Sequence, residues 1–184
     1  METPYPNIHH DAIERCRKGD RKAQSDLYKL YYKPMYNVSL RILSHEVEAE
    51  DVMQEAFLKA FTKIDTYEGK VSFGAWLKKI VINHSLDQLK KRKVKFEELN
   101  EKIPDEESAD PNLGEIQMEQ VKKAIRQLPD GYRVVLSLHL LEGYDHEEIS
   151  QILGISNVAS RTQYLRAKLK LRQLLHQEEL FEYN

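Results

Sequence analysis

The sequence predicts an all-α protein: two small helical domains joined by a flexible acidic linker, with a helix-turn-helix in the C-terminal domain. Three observations carry this. Apolar residues recur at i, i+3, i+4 and i+7 along most of the chain, and no window sustains period-two alternation. Glycine and proline are scarce, 7 and 6 among 184 residues, so little punctuates the helices. Between Phe96 and Leu113 the pattern fails: "EELNEKIPDEESADPNLG" holds prolines, acids and small polar residues, too little apolar surface to fold alone. The expected boundaries are 1–95, a linker over 96–113, and 114–184.

The elements follow in order. Asn7 can cap a first short helix that ends before Gly19. Asp20 can cap a second, with Pro34 inside it as an expected kink. Ser44 is placed as the cap of a third, whose first turn carries Glu46 and Glu48 where the helix dipole favours anions. Its buried stripe reads Ala49, Val52, Met53, Ala56, Phe57, Ala60, Phe61 and Ile64. Opposite that stripe lie Asp51, Gln54, Glu55 and Leu58. A leucine ringed by acids can anchor a protein contact, although single exposed leucines are also ordinary surface.

"DTYEGKVS" reads as a loop, and Ser72 caps a fourth helix running towards Lys93. In the second domain helices begin near Glu115. "LPDGYRVVLSLHLLEG" gives a helix end, a turn, and a helix stopped by Gly143. Asp145 with Glu148 forms a capping arrangement for the next helix, which stops at Gly154. Ser156 caps the last.

Charge is segregated although the net value is only −2. Eight Lys/Arg stand between Lys70 and Lys95 (70, 78, 79, 90, 91, 92, 93, 95) against one acid, Asp87. Nine acids oppose the single Lys102 between Glu97 and Glu119, and five bases without an acid lie between Ile155 and Leu175. Two basic zones flanking an acidic stretch suit two contacts on one polyanion, while each run alone also suits a solvated helix face. One cysteine, Cys16, excludes an intrachain disulfide framework and fits a reducing compartment. No secretory pattern opens "METPYPNIHHDAIERC", and no apolar run approaches the roughly 20 residues of a membrane helix. A cytoplasmic chain without membrane insertion is expected.

Asp145–Leu153, the turn Gly154-Ile155-Ser156 and a long helix from Asn157 have the shape of a helix-turn-helix, whose second helix enters the major groove. Ile149, Ile152, Leu153 and Ile155 are expected to bury against Tyr164, Ala167 and Leu171. Asn157, Arg161, Thr162, Leu165, Arg166 and Lys168 then face outward, where arginine can read guanine edges and lysine or threonine can meet phosphates. An αα-hairpin with a basic solvent face has the same spacing; the lack of acids between Ile155 and Leu175 favours DNA. Around Tyr67, a glycine-containing loop leads into a helix mixing Phe73, Trp76 and Ile80 with basic residues, a combination suited to single-stranded nucleic acid. The apolar members of that mixture also read as core.

Enzymatic chemistry finds no support in the sequence. His84 with Asp87, or His9-His10 with Asp11, lack the further ligands a metal needs. No phosphate loop or nucleophile motif is present, so no catalytic residue, metal or cofactor is expected. A free-standing helix-turn-helix regulator, dimeric on a two-fold operator, is the alternative.

"EAEDVMQEAFLKAF", "YEGKVSFGAWLKKIVINHSLDQLKKRK" and "LPDGYRVVLSLHLLEGYDHEEISQILGIS…RAK", in that order over roughly Lys18 to Leu175, resemble bacterial sigma factors of the extracytoplasmic-function (ECF) group. The resemblance implies a promoter-recognition subunit of RNA polymerase without chemistry of its own. Asp51, Gln54, Glu55 and Leu58 would dock on the β′ coiled coil. The loop from Asp65 to Ser72, with Tyr67 and Lys70, would join Asn83 in holding a base flipped from the −10 element. Lys78, Lys79, Lys90, Lys91 and Arg92 would meet the backbone there. Asn157, Arg161, Thr162, Leu165, Arg166 and Lys168 would read the −35 element, and neighbouring helices would bind the β flap. The linker would thread towards the polymerase's active-site and RNA-exit path. The resemblance implies core RNA polymerase and promoter DNA as partners and leaves room for an anti-sigma factor. The chain departs from the family at "SNVASRTQY", where Ser160 stands in place of the usual buried apolar residue.

Overall fold

The computed structural model describes residues 9–92 and 118–182, with side chains to His176. Asn7, Lys93 and the segment 96–113 lie outside the described residues. The chain forms two compact units, Met1–Lys93 and Val94–Asn184, and every regular element among the described residues is helical.

In the first unit, α1 (His10–Arg17) begins after His9, which makes no side-chain cap bond. Asp20 caps α2 (Arg21–Leu43) as expected, accepting from the Lys22 and Ala23 amides at 2.8 and 3.2 Å. The same carboxylate takes the Arg15 Nε at 2.8 Å and so ties the end of α1 to the start of α2. α2 continues as one helix through Pro34, the position of the expected kink.

The joint between α2 and α3 (Glu46–Thr62) corrects the expected cap. Ser44 has φ 53°, left-handed, and its amide closes on the Leu40 carbonyl at 2.8 Å, so it ends α2. A residue in that conformation cannot supply the extended backbone of an N-cap. His45 takes that place, its ring Nδ1 accepting from the Glu48 amide at 3.3 Å.

Helices α2, α3 and α4 (Phe73–Lys91) pack on one another, with α1 against α2. The predicted stripe of α3 is buried from Ala49 to Ala60, with Ile64 following in a 3-10 turn and Phe61 only half-buried. Between α2 and α4 the small pair Ser39 and Ser85, both fully buried, is bonded at 3.1 Å. At Gly74 an added Cβ would stand 2.9 Å from Tyr31 Cε1, so glycine lets the first turn of α4 close on that ring. Ser72 caps α4 through the Ala75 amide at 3.2 Å, as its position predicts.

The second unit contains α5 (Met118–Gln127), α6 (Asp130–Leu136) running on as a π-turn through Ser137–Leu141, α7 (His146–Leu153) and α8 (Asn157–Glu182). Ile125, Leu128, Tyr132, Leu136 and Ala167 form a buried cluster, flanked by Val121, Tyr164, Leu171 and Leu174. Tyr164, Ala167 and Leu171 thus share this cluster with α5 and α6, and α7 packs on α8 as well. Buried Arg133 donates to the Leu128 carbonyl at 2.9 Å and pairs with Asp130, bracing the turn between α5 and α6.

The local signals of this unit hold. Gly143 (φ 82°) and Gly154 (φ 69°) are both left-handed. Asp145 and Glu148 make a reciprocal capping box with bonds of 2.8 and 2.9 Å, and the Ser156 hydroxyl accepts from the Ala159 amide at 3.0 Å.

Candidate nucleic-acid interface

Each unit presents its own surface. On α8, about 3.6 residues per turn bring Asn157, Arg161, Leu165 and Lys168 into one line. Arg161, Leu165 and Lys168 are exposed, and Asn157 and Thr162 are half-buried. Asn157 donates to Glu147 of α7 at 3.2 Å and its side-chain oxygen accepts from the Arg161 Nε at 2.8 Å. This relay leaves the terminal nitrogens of Arg161 clear of the bond while fixing the base of its fork. Lys168 lies over the Tyr164 ring, 4.8 Å from its centre.

Arg166 departs from the expected face. It sits on the flank of the stripe, half-buried, with its Nε out of solvent. Val158, passed over in the sequence, is 69% exposed in the first turn of α8 beside Arg161. Its apolar character hid it: an outward valine in a helix looks like core until its burial is known.

On α4 the positions Trp76, Lys79, Asn83 and Lys90 share a face with Asp87. Lys79, Asn83, Lys90 and Lys91 are exposed, Trp76 is half-buried, and Asp87 lies 3.5 Å from the Lys90 ammonium. Lys78 falls off this stripe and is half-buried. Lys70 is exposed and pairs with Glu68 at 2.5 Å.

Two of the expected contact residues are engaged within the first unit. Tyr67 is only 3% exposed. Its ring meets Phe73 edge-on at 5.6 Å and Trp76 at 5.4 Å, and burial raises its hydroxyl above the ordinary pKa. It therefore supports the loop from within and offers no open face to a base. Arg92 is committed to Glu48 through Nε (3.1 Å) and Nη2, and to the Leu43 carbonyl through Nη1 (3.2 Å). An arginine making three bonds to two partners at the α2–α3 joint helps fasten the first unit.

Asp51, Gln54, Glu55 and Leu58 are brought together as expected, all exposed on the outer face of α3, Leu58 at 70%. Gln54 donates to Glu50 at 3.3 Å, and Glu55 lies 4.0 Å from the His84 Nδ1. Burial and then Lys59 hold the His84 pKa below its ordinary value, against Glu55 and Asp87.

Residues 27–94 match the Sigma-70 region 2 family and residues 118–171 match Sigma-70, region 4. The chain is 30% identical to the ECF RNA polymerase sigma factor SigW of Bacillus subtilis, covering 89% of this chain and 94% of that protein. It is 31% identical to the RNA polymerase sigma factor CarQ of Myxococcus xanthus, over 91% and 98% of the two chains. Among solved structures, the sigma factor RpoE of Bartonella quintana in complex with the anti-sigma factor NepR is similar, with a TM-score of 0.57 and 24% identity over 83% of this chain and 96% of that one. CnrH in complex with the cytosolic domain of CnrY aligns at a TM-score of 0.53 with 20% identity, over 90% and 95%.

Proposed function

Because the chain belongs to the ECF RNA polymerase sigma factors and so directs promoter-specific transcription initiation, we propose that it reads its promoter with two separate faces, α8 on the −35 element and α4 on the −10 element. The observation that carries this is the acid-free line Asn157–Arg161–Leu165–Lys168 on a capped helix behind a tight Gly154 turn. That line has the donors and the exposure that base edges and phosphates require.

Exposed Asn83 beside Lys79, Lys90 and Lys91 supports the second face, where an amide can bond an unstacked base while ammonium groups hold the strand. Asp51, Gln54, Glu55 and Leu58 dock on the β′ coiled coil of core RNA polymerase, with Leu58 as the apolar anchor. Helices around α8 meet the β flap. The acidic segment 96–113, between an N-terminal domain over 1–95 and a C-terminal domain over 114–184, tethers the two readers. A short flexible tether raises the effective concentration of the second contact to about the millimolar range, so two weak readers recognise one bipartite site. The protein acts in the cytoplasm, carries no catalytic chemistry, and is open to control by an anti-sigma factor. A free-standing regulator is not favoured, since the likeness to sigma factors spans both units.

Purified core polymerase with and without this chain, tested by pull-down and by run-off transcription on genomic fragments, checks the reading. Stable association with new, defined start sites is expected. Specific DNA binding by the chain alone, without association, would overturn the docking face.

A further inference from the structure

We infer that His146 and Ser160 form a pin that sets how α8 presents Arg161 to the −35 element, and that acid releases it. This rests on the reading of α8 as the −35 helix. His146 opens α7, Ser160 lies in the first turn of α8, and the Ser160 Oγ stands 2.9 Å from the His146 Nδ1. Ser160 is fully buried, and the next residue, Arg161, is exposed. The bond thus fixes the rotation of α8 directly behind its outward arginine. A purely apolar residue at position 160 would pack here without fixing an angle; a buried hydroxyl must keep its partner.

The His146 ring is itself held. His139, from the π-turn, stacks on it with centroids 4.4 Å apart and planes 17° from parallel, and its own Nδ1 is bonded to the Tyr144 carbonyl at 2.8 Å. Tyr164 of α8 meets both rings edge-on, at 4.5 and 5.6 Å. The pin therefore joins the π-turn, α7 and α8 through three rings and one hydroxyl.

The groups facing His146 oppose a charge on it on balance. They are His139 from the π-turn, Arg161 from α8 beside Tyr164 and its Lys168, and, favouring the charge, Asp145 from the start of α7. Burial, then His139, then Arg161 hold the His146 pKa below its ordinary value, and Asp145 acts the other way. A folded-state pKa below the unfolded one means that the unfolded chain binds the proton more readily. The contribution of the neutral ring is complete above about pH 6.5 and is lost as pH falls towards the folded value. A proton on His146 makes Nδ1 a donor, so Ser160 keeps the bond only by turning its hydroxyl, and the charge stands in a site where burial, His139 and Arg161 oppose it; that cost loosens the pin.

The test uses holoenzyme assembled from core polymerase and the full chain. Binding to a cognate promoter fragment is divided by binding to the same fragment with a scrambled −35 element, which cancels non-specific pH effects. The wild-type ratio is expected to fall as pH is lowered below about 6.5, by about fivefold once the ring is charged, the size of one net hydrogen bond. In His146→Asn an amide oxygen stands near the Nδ1 position and the group bonded to Ser160 no longer titrates, so the ratio loses the wild-type pH dependence. Ser160→Ala lowers the ratio about fivefold already at neutral pH while sensitivity to a scrambled −10 element is unchanged. A wild-type ratio independent of pH, or a His146→Asn profile that titrates like wild type, overturns the pin. A wild-type ratio of one at every pH overturns the −35 reading of α8 and the pin with it.

Discussion

The Tyr67 hydroxyl donates to the Val71 carbonyl at 2.6 Å, closing the loop between α3 and α4 from its buried side. The outward residues of that loop, Thr66, Glu68 and Lys70 among them, are displayed on a ring that belongs to the core. Tyr67→Phe is expected to keep the fold and cost about 1 kcal/mol, the net worth of the hydroxyl's bond. Tyr67→Ala is expected to cost about 3–5 kcal/mol, as aromatic truncation in a core does. Chemical denaturation of the two variants checks this. Equal, small losses in both would return Tyr67 to the surface as a base platform.

Arg92 and its lysine neighbours are expected to separate in their salt dependence. Each exposed lysine that neutralises a duplex phosphate contributes about −0.9 to the log–log slope of affinity against salt. Lys90→Ala and Lys91→Ala should each make the slope shallower by about that amount in holoenzyme binding. Arg92→Ala should leave the slope alone and lower stability by about 1 kcal/mol, since its pair with Glu48 is only partly sheltered, at 29% and 28% side-chain exposure. A slope change for Arg92→Ala equal to that of the lysines would place it on DNA.

The same ion pair has an acid limb. Burial pushes the Glu48 carboxyl up, but bonds from Arg92 and Gln88 outweigh it and leave the group below its ordinary range. Its folded pKa is depressed, so its contribution is present above about pH 4.5 and lost as pH falls through the folded value. Glu48→Gln is expected to flatten the acid limb of stability measured by denaturation against pH; an unchanged limb would show that the pair contributes nothing.

Tyr67 and Arg92 show what the sequence could carry. Caps and stops are local: Asp20, Ser72, Gly143, Gly154, Ser156 and the Asp145–Glu148 box are each decided within four residues, and all are where the sequence puts them. The exposed faces of α3 and α8 follow from helical period, and they too were legible apart from Arg166 and Val158. The partners of Tyr67 and Arg92 were not legible because they are distant. Tyr67 beside a glycine looks like a loop platform until Phe73 and Trp76 fold over it, and Arg92 looks like one of a basic run until Glu48, 44 positions away, reaches it. The Ser44–His45 joint failed differently: two helices compete for one cap, and the left-handed stop of the first won.

On α8, Arg161 and Arg166 are expected to part company. Arg161→Ala should cost about 1–3 kcal/mol at one −35 base pair and relax its selectivity, because an exposed fork there can bond a guanine edge. Arg166→Ala should weaken folding or binding uniformly and leave selectivity alone. Val158, apolar and outward one turn before Leu165's neighbours, suits a thymine methyl, so Val158→Ser should relax preference at a single further position without loss of stability. Initiation measured across a library of randomised −35 elements checks all three; selectivity lost with Arg166 and kept without Arg161 would reverse the assignment.

Leu58 gives the sharpest test of the docking face. At 70% exposure its removal takes little surface out of the core, so Leu58→Ala should leave the unfolding midpoint within about 0.5 kcal/mol of the original. An apolar anchor at the centre of an interface, by contrast, is worth about 2 kcal/mol or more to binding. Affinity for core polymerase is therefore expected to fall about 30-fold, by the conversion of that energy. Glu55→Gln should cost less, because a charge at a wet rim alters the association rate and its salt dependence more than the hold. Titration of labelled chain into core polymerase separates these outcomes. Full affinity in Leu58→Ala, with stability unchanged, would mean that polymerase grips the first unit by another face.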